Sequence, residues 1–314
     1  MTRSRNRTDT ARVCAVDIGT NSVRTIVADV RPPSVVEVVH YDGVITRLGE
    51  GLDASNRLKP EAIERTADAA ARFVEHGHGL GATAFRLVAT SAARDAENGQ
   101  KLLDALRHAV GLDAEVVTGR REAELVLAGV KAGGILPEGF SLIVDVGGGS
   151  TELIACPRDG PPDLRSLNVG AVRLTERFLT SDPPTGEEMR AASRAADELL
   201  RPAIGEAKQA DLIGLGGTVT TMAAMLQGLE QYDPAKVHGY RLTLDDTGEL
   251  LARAASLPLE KRRTLAGLSP ARADIIVGGI IVVRAVLRAA KSESMRVSTA
   301  GILHGIALAA AGHG

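Results

Sequence analysis

The feature that most constrains the fold of this chain is a short pattern that occurs twice. The pattern reads Asp-x-Gly-x-x-Ser between two apolar strands, and its copies begin at Asp17 and Asp145. Aligning those aspartates also places Gly19 on Gly147 and a serine on a serine. An internal repeat of this kind predicts two similar halves that face each other.

The second copy carries the stronger chemical signal. Three consecutive glycines, 147–149, allow backbone conformations with positive φ and a close approach to a ligand. Their N–H groups can converge on an anion such as phosphate. Asp145 and Glu152, which flank the turn, supply the oxygen ligands that Mg²⁺ accepts beside phosphates. An ordinary hairpin turn with polar residues is the alternative for one such turn taken alone.

A third glycine turn, 214–217, follows another apolar strand and opens a helical run at Thr218. The first turn of a helix has unsatisfied N–H groups and a positive dipole end, so it favours phosphate. The sequence therefore contains three candidate phosphate turns.

Composition narrows the class of protein. The chain has 314 residues, 44% hydrophobic and 24% charged, which fits a globular protein with two domains. A net charge of −2, 2% aromatic residues and the absence of tryptophan argue against a nucleic-acid partner. No apolar run reaches the roughly 18–20 residues needed to cross a bilayer, so no membrane partner is expected.

The expected organisation is a disordered basic tail at 1–12, a first lobe at 13–132 completed by a C-terminal helix at 301–314, and a second lobe at 133–300. The tail contains arginines but no apolar signal segment, so a cytoplasmic location is expected. The two cysteines lie beside apolar strands and are expected to be core residues rather than a disulfide.

Several short sequence patterns predict where strands and helices begin or end. Tyr41-Asp42-Gly43 predicts a turn between two strands. Thr185 followed by Glu188 predicts a capping box, and Asp245 is the expected cap of a later helix.

Two polar segments can be interpreted as parts of a functional site or as ordinary structural features. Arg94, with the hydroxyls of Thr90 and Ser91, follows a strand whose carboxyl end is where ligands bind in α/β sheets, although Arg94 alone is more typical of a surface ion pair. Glu122 lies in the first turn of a predicted helix, where a glutamate commonly just complements the helix dipole.

The constellation resembles the superfamily that contains actin, sugar kinases and heat-shock chaperone ATPases. Within it, the sequence is similar to the exopolyphosphatase / guanosine pentaphosphate phosphohydrolase (Ppx/GppA) family. That resemblance implies an α/β fold of two ribonuclease-H-like lobes with an interdomain cleft that holds phosphates. It covers nearly the whole chain and rests on 16–22, 89–94, 118–125, 145–152, 214–220 and 272–276.

The resemblance also implies site residues. Glu122 matches the catalytic glutamate that orients or deprotonates the attacking water. Asp145 and Glu152 match the carboxylates around a divalent metal, expected to be Mg²⁺ with Mn²⁺ as the alternative. The matches to phosphate-binding positions are Gly19, Thr20, Asn21, Ser22, Arg94, Gly147, Gly148, Gly149, Ser150, Thr151, Gly216, Gly217 and Thr218. Weaker candidates for contacts in the same site are Asp17, Arg24, Ser91 and Arg272.

Two departures from the family pattern stand out. The family usually has Glu-Glu-Ala at the start of the helix, whereas this chain has Arg121 before Glu122. The chain also resembles the short, two-domain members rather than those with further C-terminal helical domains. The resemblance further implies a homodimer.

The expected function is an exopolyphosphatase that removes terminal phosphate, with short chains favoured, by Mg²⁺-assisted direct attack of water. Water is favoured as the nucleophile because no Ser or Cys lies in a nucleophile-elbow pattern. Hydrolysis of guanosine pentaphosphate or another nucleoside polyphosphate is the nearest alternative. A catalytically weak sensor of alarmones or polyphosphate is the non-enzymatic alternative.

Overall fold

The computed structural model of the protein describes residues 10–31, 33–205 and 210–312, which divide into two compact units. The first unit comprises Met1–Gly134 together with Ala300–Gly314, and the second comprises Ile135–Thr299. Residues 1–9 of the expected tail lie outside the described residues. At the other end of that tail the expectation of disorder is wrong, because Arg12 lies in a strand and forms an ion pair with Asp29 at 2.8 Å.

The first unit is built on a five-stranded sheet in the order β3-β2-β1-β4-β5. β1 is antiparallel to β2 and parallel to β4. Its strands are β1 (Ala11–Ile18), β2 (Ser22–Arg31), β3 (Val35–Ile45), β4 (Ala84–Ala89) and β5 (Ala114–Val116). Its helices are α1 (Leu52–Ser55), α2 (Pro60–Gly79), α3 (Ser91–Asp95), α4 (Gly99–Val110), α5 (Gly119–Ala132) and, from the C-terminal segment, α13 (Ile302–Ala310).

The second unit is built on a six-stranded sheet in the order β10-β11-β9-β6-β7-β8. Its strands are β6 (Ser141–Val146), β7 (Thr151–Cys156), β8 (Asp163–Leu167), β9 (Asp211–Leu215), β10 (Arg241–Thr243) and β11 (Ser294–Val297). Its helices are α6 (Ala171–Phe178), α7 (Gly186–Ile204), α8 (Gly217–Leu226), α9 (Pro234–Val237), α10 (Leu244–Ala255), α11 (Leu259–Arg262) and α12 (Ile276–Ala289), with a 3₁₀ turn at Pro270–Arg272.

The two sheets share one plan. In each, the strand that enters the glycine turn pairs antiparallel with the strand that leaves it, and pairs parallel with a later strand on its other side. The order β3-β2-β1-β4-β5 thus corresponds to β8-β7-β6-β9-β11. This correspondence confirms the predicted duplication of a ribonuclease-H-like α/β unit.

Separate apolar cores hold the two units. Alternate residues of β1, such as Val16 and Ile18, pack with side chains of α2 and α4 in the first unit. Leu142 and Val144 of β6 pack with residues of α7, α8 and α12 in the second. Burying a side chain of this size contributes roughly 1.5–3 kcal/mol, so the cores fix the ends of these strands in place. The glycine turns begin at those ends.

Some local predictions are corrected by the structure. The predicted turn at 41–43 is wrong, because β3 pairs with β2 along its whole length, with a bulge opposite Val27 and Ala28. Asp245 is not the cap of α10. The cap is Thr243, whose hydroxyl accepts a hydrogen bond from the N–H of Asp246 at 3.0 Å. Among the helices of the described ranges, none combines the length and apolar character needed to span a bilayer.

Candidate functional site

The two copies of the repeated turn have the same backbone geometry. The N–H of Gly19 donates to the carbonyl of Ser22 at 2.9 Å, and the N–H of Gly147 donates to the carbonyl of Ser150 at 3.0 Å. Both bonds join the first and last residues of a tight turn between antiparallel strands. The turns therefore place equivalent backbone groups at the end of each sheet.

The side chains behind the two turns differ in charge. Asp17 pairs across the strands with Arg24, and their ion pair measures 2.5 Å from Nη2 to Oδ2. The equivalent cross-strand partner of Asp145 is Glu152. Directly opposed residues on antiparallel strands have neighbouring side chains, and like charges in that position are destabilising. The first hairpin thus holds a neutralised pair, whereas the second holds two acids.

The acidic pair suits a divalent cation. Asp145 and Glu152 are both buried, and Oε1 of Glu152 accepts a hydrogen bond from the Ser166 hydroxyl at 2.8 Å. Mg²⁺ is commonly bound through one or two carboxylates, with water and substrate phosphates completing its shell. Across the described residues, no group of three or more His, Cys, Asp or Glu side chains is placed to hold a metal ion. The two carboxylates fit the protein ligands of such a Mg²⁺ site.

Helix α6 orients the peptide groups of the second turn. The backbone N–H of Ala171 donates to the carbonyl of Gly147 at 3.0 Å, and that of Val172 donates to Gly148 at 2.9 Å. Nε of Arg173 donates to the carbonyl of Gly149 at 3.0 Å. In a trans peptide the N–H of the next residue points opposite to the carbonyl. The N–H groups of residues 148–150 therefore point away from α6, as an anion-binding turn requires.

The third glycine turn lies against the same carboxylate. Gly216 has φ +93°, and a Cβ there would lie 2.6 Å from Oδ1 of Asp145. A Cβ at Gly217 would lie 2.3 Å from Nη1 of Arg272, so this guanidinium covers the start of α8. The second unit thus brings together Asp145, the turn 147–151, the start of α8 and Arg272. A positive charge beside a helix N-terminus is stabilised when an anion binds to the cation and to the helix N–H groups together.

In the first unit, Arg94 contacts Glu122. Nη1 of Arg94 donates to Oε2 of Glu122 at 3.1 Å and to the carbonyl of Val117 at 3.0 Å. Glu122 is only 7% exposed and lies in the first turn of α5, which Thr118 caps by accepting from the N–H of Arg121. Arg94 also lies 3.9 Å from Asp95. Glu122 is therefore the main carboxylate partner of Arg94. The ion pair with Asp95, which matches the alternative interpretation, is a weaker second contact.

Other residues predicted for the site lie near the ends of the strands of the first unit. The N–H of Thr90 donates to the carbonyl of Ile18 at 3.1 Å, so α3 begins beside the turn 19–22. Ser91 is buried, and its hydroxyl donates to Oδ2 of Asp95 at 3.3 Å. Arg121, the departure from the family pattern, forms an ion pair with Glu124 at 3.2 Å. Its charge is thus partly compensated within α5.

Two contacts were not predicted from the sequence. Ser166 binds Glu152 from the neighbouring strand β8, and Arg173 binds the turn from α6. Both act across connections that a local pattern does not reveal. Gly170 permits the close approach of α6 to the turn, because a Cβ there would lie 2.5 Å from the carbonyl of Gly148.

Comparison with known proteins decides the family. A family model described as the Ppx/GppA phosphatase family matches residues 23–312. The chain belongs to the Ppx/GppA phosphatase family. It is therefore a phosphatase, that is, a hydrolase.

Ppx/GppA relatives and structures cover nearly all of the chain. It is 40% identical over 317 residues to a Mycobacterium tuberculosis protein named Exopolyphosphatase 2, covering 96% of this chain and 99% of that protein. A crystal structure of an exopolyphosphatase-like protein matches with a TM-score of 0.89 and 34% identity, covering 96% and 98% of the two chains. The Aquifex aeolicus Ppx/GppA family member matches with a TM-score of 0.79 and 30% identity, covering 96% and 97%.

Proposed function

We propose that this Ppx/GppA chain is an exopolyphosphatase that hydrolyses the terminal phosphate of inorganic polyphosphate. The observation that carries the proposal is the duplicated turn, 19–22 and 147–151, with an acidic pair behind its second copy only. Similarity to Exopolyphosphatase 2 over nearly the full length of both chains supports the same substrate class.

Backbone amides and arginines are proposed to bind the phosphates. The N–H groups of residues 148–150 and the start of α8 supply donors, and Arg272 supplies positive charge beside them. Phosphoryl transfer depends chiefly on positioning and on charge stabilisation. Fixed amides that already point outward need no reorganisation when a phosphate arrives.

Glu122 is proposed to act on the water. The water oxygen would attack the terminal phosphorus, the anhydride P–O bond would break, and the shortened chain would leave with the bonding electrons. Glu122 would accept the proton of the water, a contribution of typically ~10²–10⁴-fold. The hydrogen bond from Arg94 to Oε2 holds this carboxylate in one orientation.

Asp145 and Glu152 are the residues proposed to hold Mg²⁺, with Mn²⁺ as the alternative. When bound, the metal would offset the negative charge of the phosphate oxygens. Ser166 orients Glu152 for that role through its hydrogen bond to Oε1.

Variants on α5 test the role of the base. Glu122→Gln should lower kcat by about 10²–10⁴-fold and leave polyphosphate binding close to that of the unmodified protein. Glu124→Gln is the matched control, because Glu124 lies on the same helix but pairs with Arg120 and Arg121. Its kcat should change by less than about twofold. Full activity of Glu122→Gln would refute the assigned role.

Substrate choice tests the proposed function itself. Phosphate release should be measured with tripolyphosphate, long-chain polyphosphate and guanosine pentaphosphate, each with Mg²⁺, with Mn²⁺ and with EDTA. Metal-dependent release from the inorganic chains alone is the expected result. Release from guanosine pentaphosphate alone would assign nucleoside polyphosphate hydrolysis instead, and tight binding without turnover would assign a sensor.

A further inference from the structure

A second loop is bonded to the first phosphate turn. The N–H groups of Thr46 and Arg47 donate to the carbonyl of Asn21 at 3.0 and 2.9 Å, and the N–H of Gly49 donates to the carbonyl of Thr20 at 2.8 Å. A Cβ at Gly49 would lie 2.3 Å from Cγ2 of Thr20, so the two segments touch. The loop 46–50 is therefore an extension of the turn rather than a separate surface feature.

Arg47 adopts an unfavourable backbone conformation in this loop. Its φ is +52°, in the left-handed region that glycine occupies without strain and a side chain with a Cβ does not. Strained residues of this kind cluster at ligand-binding sites, where the surrounding structure maintains them. Arg47 therefore combines a strained backbone with a hydrogen bond to the first phosphate turn.

Asn21 presents a buried donor at the same place. It is only 7% exposed, and among the described residues its side-chain Nδ2 has no hydrogen-bond partner. A buried N–H group without an acceptor is costly, and such groups commonly acquire their partner from a ligand or water. The donor lies in the turn 19–22, whose main-chain carbonyl at Asn21 holds Arg47.

Two cations contact Glu50 at the end of this loop, and Arg47 lies three residues before it. Nζ of Lys59 lies 2.7 Å from Oε1 of Glu50, and Nη2 of Arg65 lies 3.9 Å from Oε2. Arg65 also donates from Nε and Nη2 to the carbonyl of Thr46, at 3.2 and 3.1 Å. The hydrogen bond from Lys59 lowers the pKa of Glu50, burial opposes it, and the charges of Lys59, Arg65 and Arg47 lower it further.

We propose that Asn21, Arg47, Lys59 and Arg65 form an additional anion subsite that binds phosphate groups of the substrate chain beyond the terminal one. The proposal rests on the proposed function and specifies its substrate class as an extended polyanion. The pKa of Glu50 is lowered by all three of these cations, and cations held beside one loop suit a chain that carries a negative charge on every phosphate. The carboxylate of Glu50 competes with that chain for the same cations.

Arg47→Gly tests the subsite without threatening the fold. Glycine accepts φ +52°, so the thermal midpoint of this variant should equal or exceed that of the unmodified protein. Its affinity for long-chain polyphosphate, measured by calorimetry in EDTA, should fall about tenfold, with a salt slope reduced by about one. Its affinity for tripolyphosphate should fall less. Arg47→Lys keeps the charge and should retain most of the affinity.

Two further variants complete the experiment. Glu50→Gln should tighten binding of long-chain polyphosphate by about threefold, because it removes a competing charge at an exposed site. Arg57→Ala is the matched control, since Arg57 is an exposed arginine of the same segment that pairs with Glu97 at 3.3 Å. Its affinity should not change.

The outcomes separate the two proposals. Unchanged long-chain binding by Arg47→Gly, or an equal loss for tripolyphosphate and the long chain, would overturn the subsite. If the unmodified protein releases phosphate from neither inorganic chain while Arg47→Gly still loses long-chain affinity, the subsite stands and the proposed reaction fails.

Discussion

Arg24 and Glu152 occupy the same position in two copies of one hairpin, yet they carry opposite charges. The difference changes what each hairpin can do. In the first unit the arginine satisfies Asp17, so that aspartate is committed to an internal ion pair. In the second unit the equivalent place holds a second carboxylate, which the proposed cation site requires. The residue opposite the aspartate thus gives the two hairpins different charges.

Replacing that acid should weaken metal binding. In Glu152→Gln, the Mg²⁺ concentration for half-maximal phosphate release should rise at least about tenfold, because one charged ligand is lost. The stability of the metal-free variant should stay within about 1 kcal/mol of the unmodified protein, because glutamine has the shape of glutamate and keeps an oxygen that can accept from Ser166.

Metal titrations of activity, together with thermal unfolding in EDTA, would check both effects. Asp163→Asn on the neighbouring strand β8 serves as the control, since that carboxylate is exposed. An unaltered Mg²⁺ requirement in Glu152→Gln would contradict the assignment of this residue as a ligand.

At the scale of elements, local patterns were predictable and long-range contacts were not. The strand–turn–strand repeat and the Thr185–Glu188 capping box follow from residues within a few positions of one another, and both are confirmed. Asp245 failed as a cap because Thr243, two residues earlier, takes that place in a box with Asp246. The contact between Arg94 and Glu122 joins α3 to α5, which depends on strands pairing in register. No local pattern specifies it.

Glu188 at the start of α7 gives a prediction about pH. Hydrogen bonds from Thr185, Thr180 and Ser181 lower its pKa from 4.5 to about 2, although desolvation acts in the opposite sense. A lowered pKa in the folded state gives stability that is present above pH ~4.5 and is lost as the pH falls towards ~2.

Glu188→Gln should therefore lower the urea midpoint at pH 7, and the difference from the unmodified protein should shrink below pH ~4.5. Urea unfolding followed by circular dichroism at pH 7, 4.5 and 3.5 would measure it. Glu187→Gln, in the same first turn, should have the smaller effect. A difference that stays constant with pH would count against the role of the carboxylate charge.

At the scale of the whole molecule, the first unit is completed by α13, the last helix that the structure describes. α13 packs on α5 and on strands β1, β2 and β4. The crossing of the two helices is close, because a Cβ at Gly305 would lie 2.0 Å from the carbonyl oxygen of Leu125, and one at Gly129 would lie 1.8 Å from that of Gly301. Glycines permit the backbones to touch at these points.

Adding one methyl group at this crossing should be costly. Gly305→Ala forces the helices apart, and overpacking of this kind typically destabilises by about 1–3 kcal/mol. Gly139→Ala is the control, since a Cβ there meets no atom within 4 Å. Thermal or urea unfolding would measure the difference, and equal stabilities would show that the crossing relaxes without cost.

The return of α13 to the first unit has a consequence for synthesis. The N-terminal part of the first unit leaves the ribosome first, but residues 300–312, which complete that unit, are translated only after the whole of the second unit. The usual order, in which the leading domain folds before the next one is made, cannot apply to this unit. Residues 135–299 can fold first, and the first unit can complete its fold only after α13 has been translated.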